Sequence, residues 1–328
     1  MKLRKSKFGY TLIELSITIL IISLLMAGLF SVATGSVTNS KKRITNSKME
    51  QIYKALGTYL MVNKRLPCPA SLTKSFNQDA DYGNEVRSGN GCGGSVGVYR
   101  STSNTNLFFG AVPASTLNLD SSFVNDDFGN KFSYIIDERF AKNFITNPDT
   151  TFSVSSFGTA NAYNVINILE NKSISNNLVN LTSDAIMVII SFGPNKLGGF
   201  DAVNGAVNTA PTDFSELENY ISSINDSSSP STAVYNNNIV INADFSDIFD
   251  DQIIYKTRLD FINDFSARNL TGCKGSDIAT ALISSGFTAK SLYYGQLLYS
   301  DSTCSNGVYR VLKCDFGGSW KTVLGTCP

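Results

Sequence analysis

The longest apolar run of the chain lies near its start. From residue 15 to residue 40 no side chain is charged, and residues 12–33 are predominantly apolar. A helix over that stretch is long enough to cross the ~30 Å hydrocarbon core of a bilayer. The pattern then changes without a break. Ile44, Met49, Ile52, Leu56, Tyr59 and Leu60 recur at mostly three- and four-residue steps, with Lys42, Lys48, Glu50 and Lys54 between them. That spacing predicts an amphipathic helix. It should stop just before Pro67, because a residue ahead of proline disfavours helical dihedrals. Together the stretches predict one helix of about fifty residues, hydrophobic all round in its first half and packed on a head by its second. No proline lies between Tyr10 and Leu66. Gly28 and Gly35 are the positions where this helix could give.

Beyond residue 66 the texture becomes short apolar runs separated by Asn, Gly, Ser and Asp. Residues 132–136 and 185–192 predict buried strands. Gly129-Asn130 precedes the first and Gly193-Pro194-Asn195 follows the second, both turn chemistry. Further strands are predicted at 164–169 and 239–245, and a closing strand within "FDDQIIYKTRLDFI". A small antiparallel sheet against the second half of the helix would bury its apolar stripe. "NDSSSPSTAVYNNN", residues 225–238, reads as a long exposed loop. From about residue 266 the chain is rich in cysteine. There "GVYRVLKC" alternates as a strand, and "DFGGSWKTV" reads as a turn and a second strand. Trp320, the sole tryptophan, is expected to pack on a disulfide in a core too small to stand alone.

Charge and composition narrow the chemistry. The 27 basic and 27 acidic residues balance. Lys2, Arg4, Lys5 and Lys7 crowd the first nine positions, so the body is mildly acidic. That argues against nucleic acid as a partner, since phosphate binding needs a basic face. The chain has no histidine. Ser-His, Cys-His and His-metal mechanisms are therefore excluded, while carboxylate, Lys, Tyr and thiol chemistry stay open.

Six cysteines fall in two groups: Cys68 with Cys92, and Cys273, Cys304, Cys314 and Cys327. An even number in local clusters, behind a membrane-targeting segment, reads as disulfides in an oxidising compartment. No pair has Cys-x-x-Cys spacing, which disfavours zinc. A Cys68–Cys92 bridge would be worth about 3 kcal/mol in the chain-entropy treatment. The last four cysteines allow three pairings, and sequence does not choose among them.

The N-terminus admits three readings: a signal peptide cut near residues 33–36, an uncut signal anchor, or a cut at Gly9-Tyr10 that keeps the helix. "KSKFGYTLIELSITILIISLLMAG" resembles the class III signal of type IV prepilins and type II secretion pseudopilins. Gly9 matches the glycine after a short basic leader. Tyr10 matches the aromatic first mature residue, where phenylalanine is usual, and Glu14 the glutamate at mature position five. The resemblance implies that a prepilin peptidase cuts after Gly9 and N-methylates Tyr10. A carboxylate inside a bilayer costs on the order of 3 kcal/mol unless it finds a partner. The resemblance implies that Glu14 pairs with the new amino terminus of a neighbouring subunit and sets register in a filament.

"RLPCPASL", "FFGAVPASTLNL" and "DDFGNKFSYIID" resemble a recurrent layout in bacterial pseudopilin-like proteins, and "AIMVIISFGPNKLGG" looks like the strand and turn that follow there. The implied fold class is α+β and pilin-like. It comprises a leader at 1–9, a long helix at 10–66 (transmembrane about 12–33), an antiparallel β-sheet head at 67–265 and a disulfide-rich module at 266–328. The implied function is structural, not enzymatic: a pilin or pseudopilin, of the minor kind, in a type II secretion pseudopilus or a type IV pilus. Its implied partners are the prepilin peptidase, other pilin subunits and an inner-membrane assembly platform. The N-terminus would be cytoplasmic and the head periplasmic. The alternative is a membrane-anchored adhesin or substrate-binding protein that does not polymerise.

No cofactor or metal site is assigned. The glycine-rich "SGNGCGGSVGVY", residues 88–99, follows no strand run and lacks Gly-Lys-Ser/Thr, so it is no phosphate cradle. It reads as a loop tied by Cys92. Asp126, Asp127 and Asn130 raise calcium, since hard cations take clustered oxygens. Such clusters are also turns whose side chains cap their own backbone, and that reading is preferred. Asp250-Asp251 and Asp244-Asp247 are read with the same caution. Neighbouring residues on a strand face opposite sides, which weakens a glycosidase-like carboxylate pair.

Overall fold

The computed structural model describes residues 11–76, 78–93, 97–100, 107–142, 166–171, 178–220, 239–244, 246, 249–265, 272–273, 275, 278, 286–288, 290, 292–293, 296–303, 309–314 and 320–324. Within these, the side chains of 25–34, 99–100, 239, 272, 293, 302 and 324 lie outside the description. The chain divides into two compact units, Met1–Ile44 and Thr45–Pro328.

Helix α1 (Leu12–Asn63) runs from the first unit into the second. In the first unit the side chains described up to Leu24 are all exposed. Among the described residues no helix is long and apolar enough to cross a membrane. The span expected over residues 12–33 is therefore not borne out there. Of that span the structure describes the helical backbone throughout and the side chains of residues 12–24.

In the second unit α1 buries Thr45, Met49, Ile52, Tyr53, Leu56 and Leu60. Steps of three and four keep them on one face. Met49, Ile52, Tyr53, Leu56 and Leu60 share a core with Phe108, Tyr134, Ile136 and Val188 of the sheet. Of the residues expected in this stripe, Ile44 is exposed and Tyr59 half-buried. The helix ends at Asn63, ahead of the expected stop. Lys64 takes a left-handed conformation (φ 58°), and its N–H donates to the Leu60 carbonyl at 2.9 Å. That closes the last turn before Pro67 can interrupt it.

The spine of the main sheet is the strand Leu178–Ser191. Its C-terminal half pairs antiparallel with Ser133–Asp137 on one edge and Gln252–Thr257 on the other. Its N-terminal half pairs antiparallel with Ile166–Asn171. Beyond Ser133–Asp137 come Leu107–Ala111 and Tyr99–Arg100, also antiparallel. The expectation of a wholly antiparallel sheet needs one correction: Ile239–Ala243 runs parallel to Ile166–Asn171. Parallel neighbours need a long crossover. The chain from Leu178 through helix Phe214–Asn219 supplies it, and that helix packs on Ile239–Ala243.

A short helix, Arg258–Asp264, follows the closing strand. Thr257 and Asp260 form its capping box. It brings Phe261 and Phe265 edge-on to Tyr53 of α1, and Tyr53 donates its hydroxyl to Asp264 at 2.7 Å.

The tail forms a separate three-stranded antiparallel sheet, Leu297–Thr303, Tyr309–Cys314 and Trp320–Leu324. Its small core holds Ile278, Phe287, Leu298 and Leu312, with Leu292 and Trp320 packed against it. A disulfide joins Cys273 to Cys314, and Trp320 stands opposite Cys314 in the register. Cys304, Cys327 and the loop expected at 225–238 lie outside the described residues.

Candidate assembly site

Thr11 opens α1. Its hydroxyl accepts the Glu14 N–H at 3.3 Å, and its carbonyl accepts the Leu15 N–H at 3.1 Å. This is the local chemistry of a helix start, where the first N–H groups lack intrahelical partners. Glu14 sits in the first turn, where the helix dipole favours an anion. The hydroxyls of Ser16, Thr18 and Ser23 fold back onto carbonyls three or four residues earlier. These polar groups are thus spent within the helix, and Leu12, Ile13, Leu15, Ile17 and Leu20 face outward. The Glu14 carboxylate has no ion-pair partner among the described residues. Gly9 and Tyr10 lie outside them, so the expected cleavage point has no described geometry.

The head holds α1 and the chain just after it through three groups of contacts, two of them in segments whose sequences stood out. The first is the Asp126–Asn130 turn. Asp126 is buried, and its Oδ1 accepts the N–H groups of Phe128 (2.9 Å) and Asn130 (2.8 Å). Gly129 supplies the left-handed backbone (φ 93°) the turn requires. Asp127 then reaches Lys48 of α1 at 2.6 Å, and its N–H donates to Thr45 Oγ1 at 3.3 Å. Burial pushes the Asp126 carboxyl up, against the hydrogen bonds from Ser191 and the turn, which pull it down. Asp126 and Asn130 therefore shape the turn, and Asp127 clamps it to α1. Asn130 also donates to the Gly193 carbonyl at 3.3 Å, tying this turn to the one after the spine strand.

The second is the segment after α1. Ala70 and Ala111 exchange N–H···O bonds of 2.9 and 2.7 Å, and Gly110 lets the chains meet. A Cβ on Gly110 would fall 2.3 Å from the Ala70 carbonyl. Cys68 is bonded to Cys92. The third is Glu85, which no sequence signal singled out. Its carboxylate takes a two-pronged bond from Arg65 (2.8 and 2.6 Å), the Cys68 N–H (2.9 Å) and the Tyr59 hydroxyl (3.0 Å). Burial raises the Glu85 pKa, but Arg65, the Cys68 N–H and Arg87 outweigh it and hold the carboxyl below its ordinary value. Burial and the Glu85 charge push Tyr59 up to about 12.

Residues 4–30 match the family model described as the prokaryotic N-terminal methylation motif. The matched stretch contains Gly9, Tyr10 and Glu14. No curated protein and no solved structure matches the chain. Residues 4–30 thus carry the class III signal of type IV pilin-like and pseudopilin proteins, which supports a pilin-like subunit processed by a prepilin peptidase.

Proposed function

We propose that the chain is a minor pilin or pseudopilin subunit of a type IV pilus or a type II secretion pseudopilus. Cleavage falls between Gly9 and Tyr10, the new terminus is N-methylated, and residues 12–33 anchor the chain in the inner membrane with the head in the periplasm. The observation that carries this reading is the methylation motif over residues 4–30, and it is supported by Glu14 lying in the first turn of a helix whose described apolar side chains up to Leu24 are exposed.

The physical logic is charge pairing. In lipid the Glu14 carboxylate needs a cation. Cleavage at Gly9 creates one at Tyr10, and the Tyr10 ammonium of an adjacent subunit meets Glu14 as the helices pack. An assembly platform moves the subunit from bilayer to filament. The disulfides at Cys68–Cys92 and Cys273–Cys314 suit an oxidising compartment. The separate tail sheet and the proline-free helix favour a minor subunit over the abundant one.

Mass spectrometry of the mature N-terminus tests this. The expected first residue is Tyr10, carrying one methyl group. A terminus near residues 33–36, or an intact leader in a functional protein, would overturn it. In parallel, Glu14→Ala should leave membrane insertion intact and abolish incorporation into filaments. A non-polymerising anchored binder would keep its activity after that change.

A further inference from the structure

We propose that Glu216, Asp250 and Asp251 form a binding site for one hard divalent cation, calcium in preference to magnesium. Each carboxylate places an oxygen within 4.8 Å of the others'. All three residues are more than nine-tenths buried, at 2 %, 6 % and 6 % exposure. They come from separate elements: Glu216 from helix Phe214–Asn219, and Asp250 and Asp251 from the residues just before strand Gln252–Thr257. Sequence shows only the Asp250-Asp251 pair. Glu216 joins it through folding.

The hydrogen-bond donors described for them are neutral. Glu216 Oε1 accepts from the Asn195 side chain at 3.0 Å and from the Asp250 N–H at 3.1 Å. Asp250 Oδ2 accepts the Asn195 N–H at 2.8 Å, and Asp251 Oδ2 accepts from the Asn219 side chain at 2.9 Å. The second oxygen of Asp251, Oδ1, is buried with no hydrogen-bond partner among the described residues. Such an oxygen costs on the order of 2 kcal/mol or more if left unmet. No ion pair among the described residues includes Glu216 or Asp251. Asp213, which caps the same helix, adds a further negative field at Asp251.

The chemistry selects the ion. Three carboxylates buried this close together repel one another, and a counter-charge among them removes that repulsion. A proton relieves one of them, whereas a divalent cation relieves all three. The donors are oxygen only, and the chain has no histidine, so the site suits a hard ion rather than zinc or copper. Burial asks the ion to shed most of its water, which calcium does more readily than magnesium. Bound there, the ion would hold the Gly193–Asn195 turn, helix Phe214–Asn219 and the start of Gln252–Thr257 together. This inference is independent of the assembly reading.

The full chain, purified in detergent and stripped with EDTA, is the material for the test. After equilibrium dialysis against calcium chloride, about one ion per chain is expected to be retained. The Tm should rise saturably with calcium, and much less with magnesium or sodium chloride of equal ionic strength. Asp251→Asn should weaken calcium binding about tenfold or more. In EDTA the same variant should melt no lower than the parent, because it removes a buried charge that no described cation balances. Glu216→Gln serves as the second variant, and Asp127→Asn as a control that leaves calcium binding unchanged. Absence of retained calcium in the parent chain would overturn the proposal. So would Asp251→Asn and Glu216→Gln chains that bind calcium as tightly as the parent.

Discussion

The Asp126 carboxylate and the Ser191 hydroxyl stand 2.7 Å apart, both buried, across 65 residues of sequence. One carboxylate thus closes a turn with its first oxygen and docks that turn on the spine strand with its second. Asp126→Ala should leave two buried N–H groups and one hydroxyl unmet, at a cost on the order of 3 kcal/mol. Asp126→Asn keeps an acceptor for the turn and removes a charge that burial disfavours. It should cost far less. Urea midpoints of the two variants check the difference, and equal losses would refute the assignment.

Gly57 lies beneath Phe265, and a Cβ there would fall 2.2 Å from the ring. Alanine is ordinarily the better helix former by about 1 kcal/mol. Here overpacking, worth about 1–3 kcal/mol, opposes that gain, and the ring is held against Tyr53 and Phe261. Gly57→Ala should therefore lower the melting temperature. Adding Phe265→Ala should make the Gly57→Ala step neutral or stabilising, which a thermal-melt double-mutant cycle reads directly.

The Cys68–Cys92 bridge spans 24 residues. A loop of that size is worth about 3 kcal/mol through the unfolded chain. The Cys68→Ser/Cys92→Ser chain should lose about that much in a denaturant titration. Dithiothreitol should then have less effect on it than on the parent.

Much of this architecture is legible in the pattern of the chain, and the exceptions have physical causes. The apolar run at 132–136, behind the Gly129-Asn130 turn, and the apolar positions at 239–245 mark strands Ser133–Asp137 and Ile239–Ala243 to within two residues at each end. The apolar run at 185–192 marks only the buried half of the spine strand. Residues 179–184 are largely exposed, and only Val179 and Leu181 among them are apolar, too little to mark a strand. Helix Arg258–Asp264 falls within the segment expected as the closing strand, although Thr257-x-x-Asp260 is a capping-box signal that separates the two. Strand Leu297–Thr303 carries little signal of its own: its sequence alternates weakly, and pairing with Tyr309–Cys314 holds it in place. At the candidate site the motif around Gly9, Tyr10 and Glu14 is local and readable. Glu85 and Glu216 are not, because each gains its role from partners that only folding brings near.

Glu85 offers the sharpest pH prediction. Its carboxyl is held below the ordinary value, the Arg65, Cys68 and Arg87 interactions overcoming the opposing effect of burial. For an acid whose folded pKa is depressed, the stabilisation is complete above the unfolded value, about 4.3, and is lost as pH falls through the folded one. Stability of the parent chain should therefore fall below about pH 4 partly through this group. Glu85→Gln keeps the shape but loses the charge, leaving the half-buried Arg65 guanidinium without its counter-ion. That variant should be less stable at pH 7 by about 3 kcal/mol. Its stability should also depend less on pH between about 5 and 3, so the two curves converge in acid. Urea titrations of both chains across that range measure the convergence. Parallel curves, offset equally at every pH, would show that Glu85 is not ionised in the folded head.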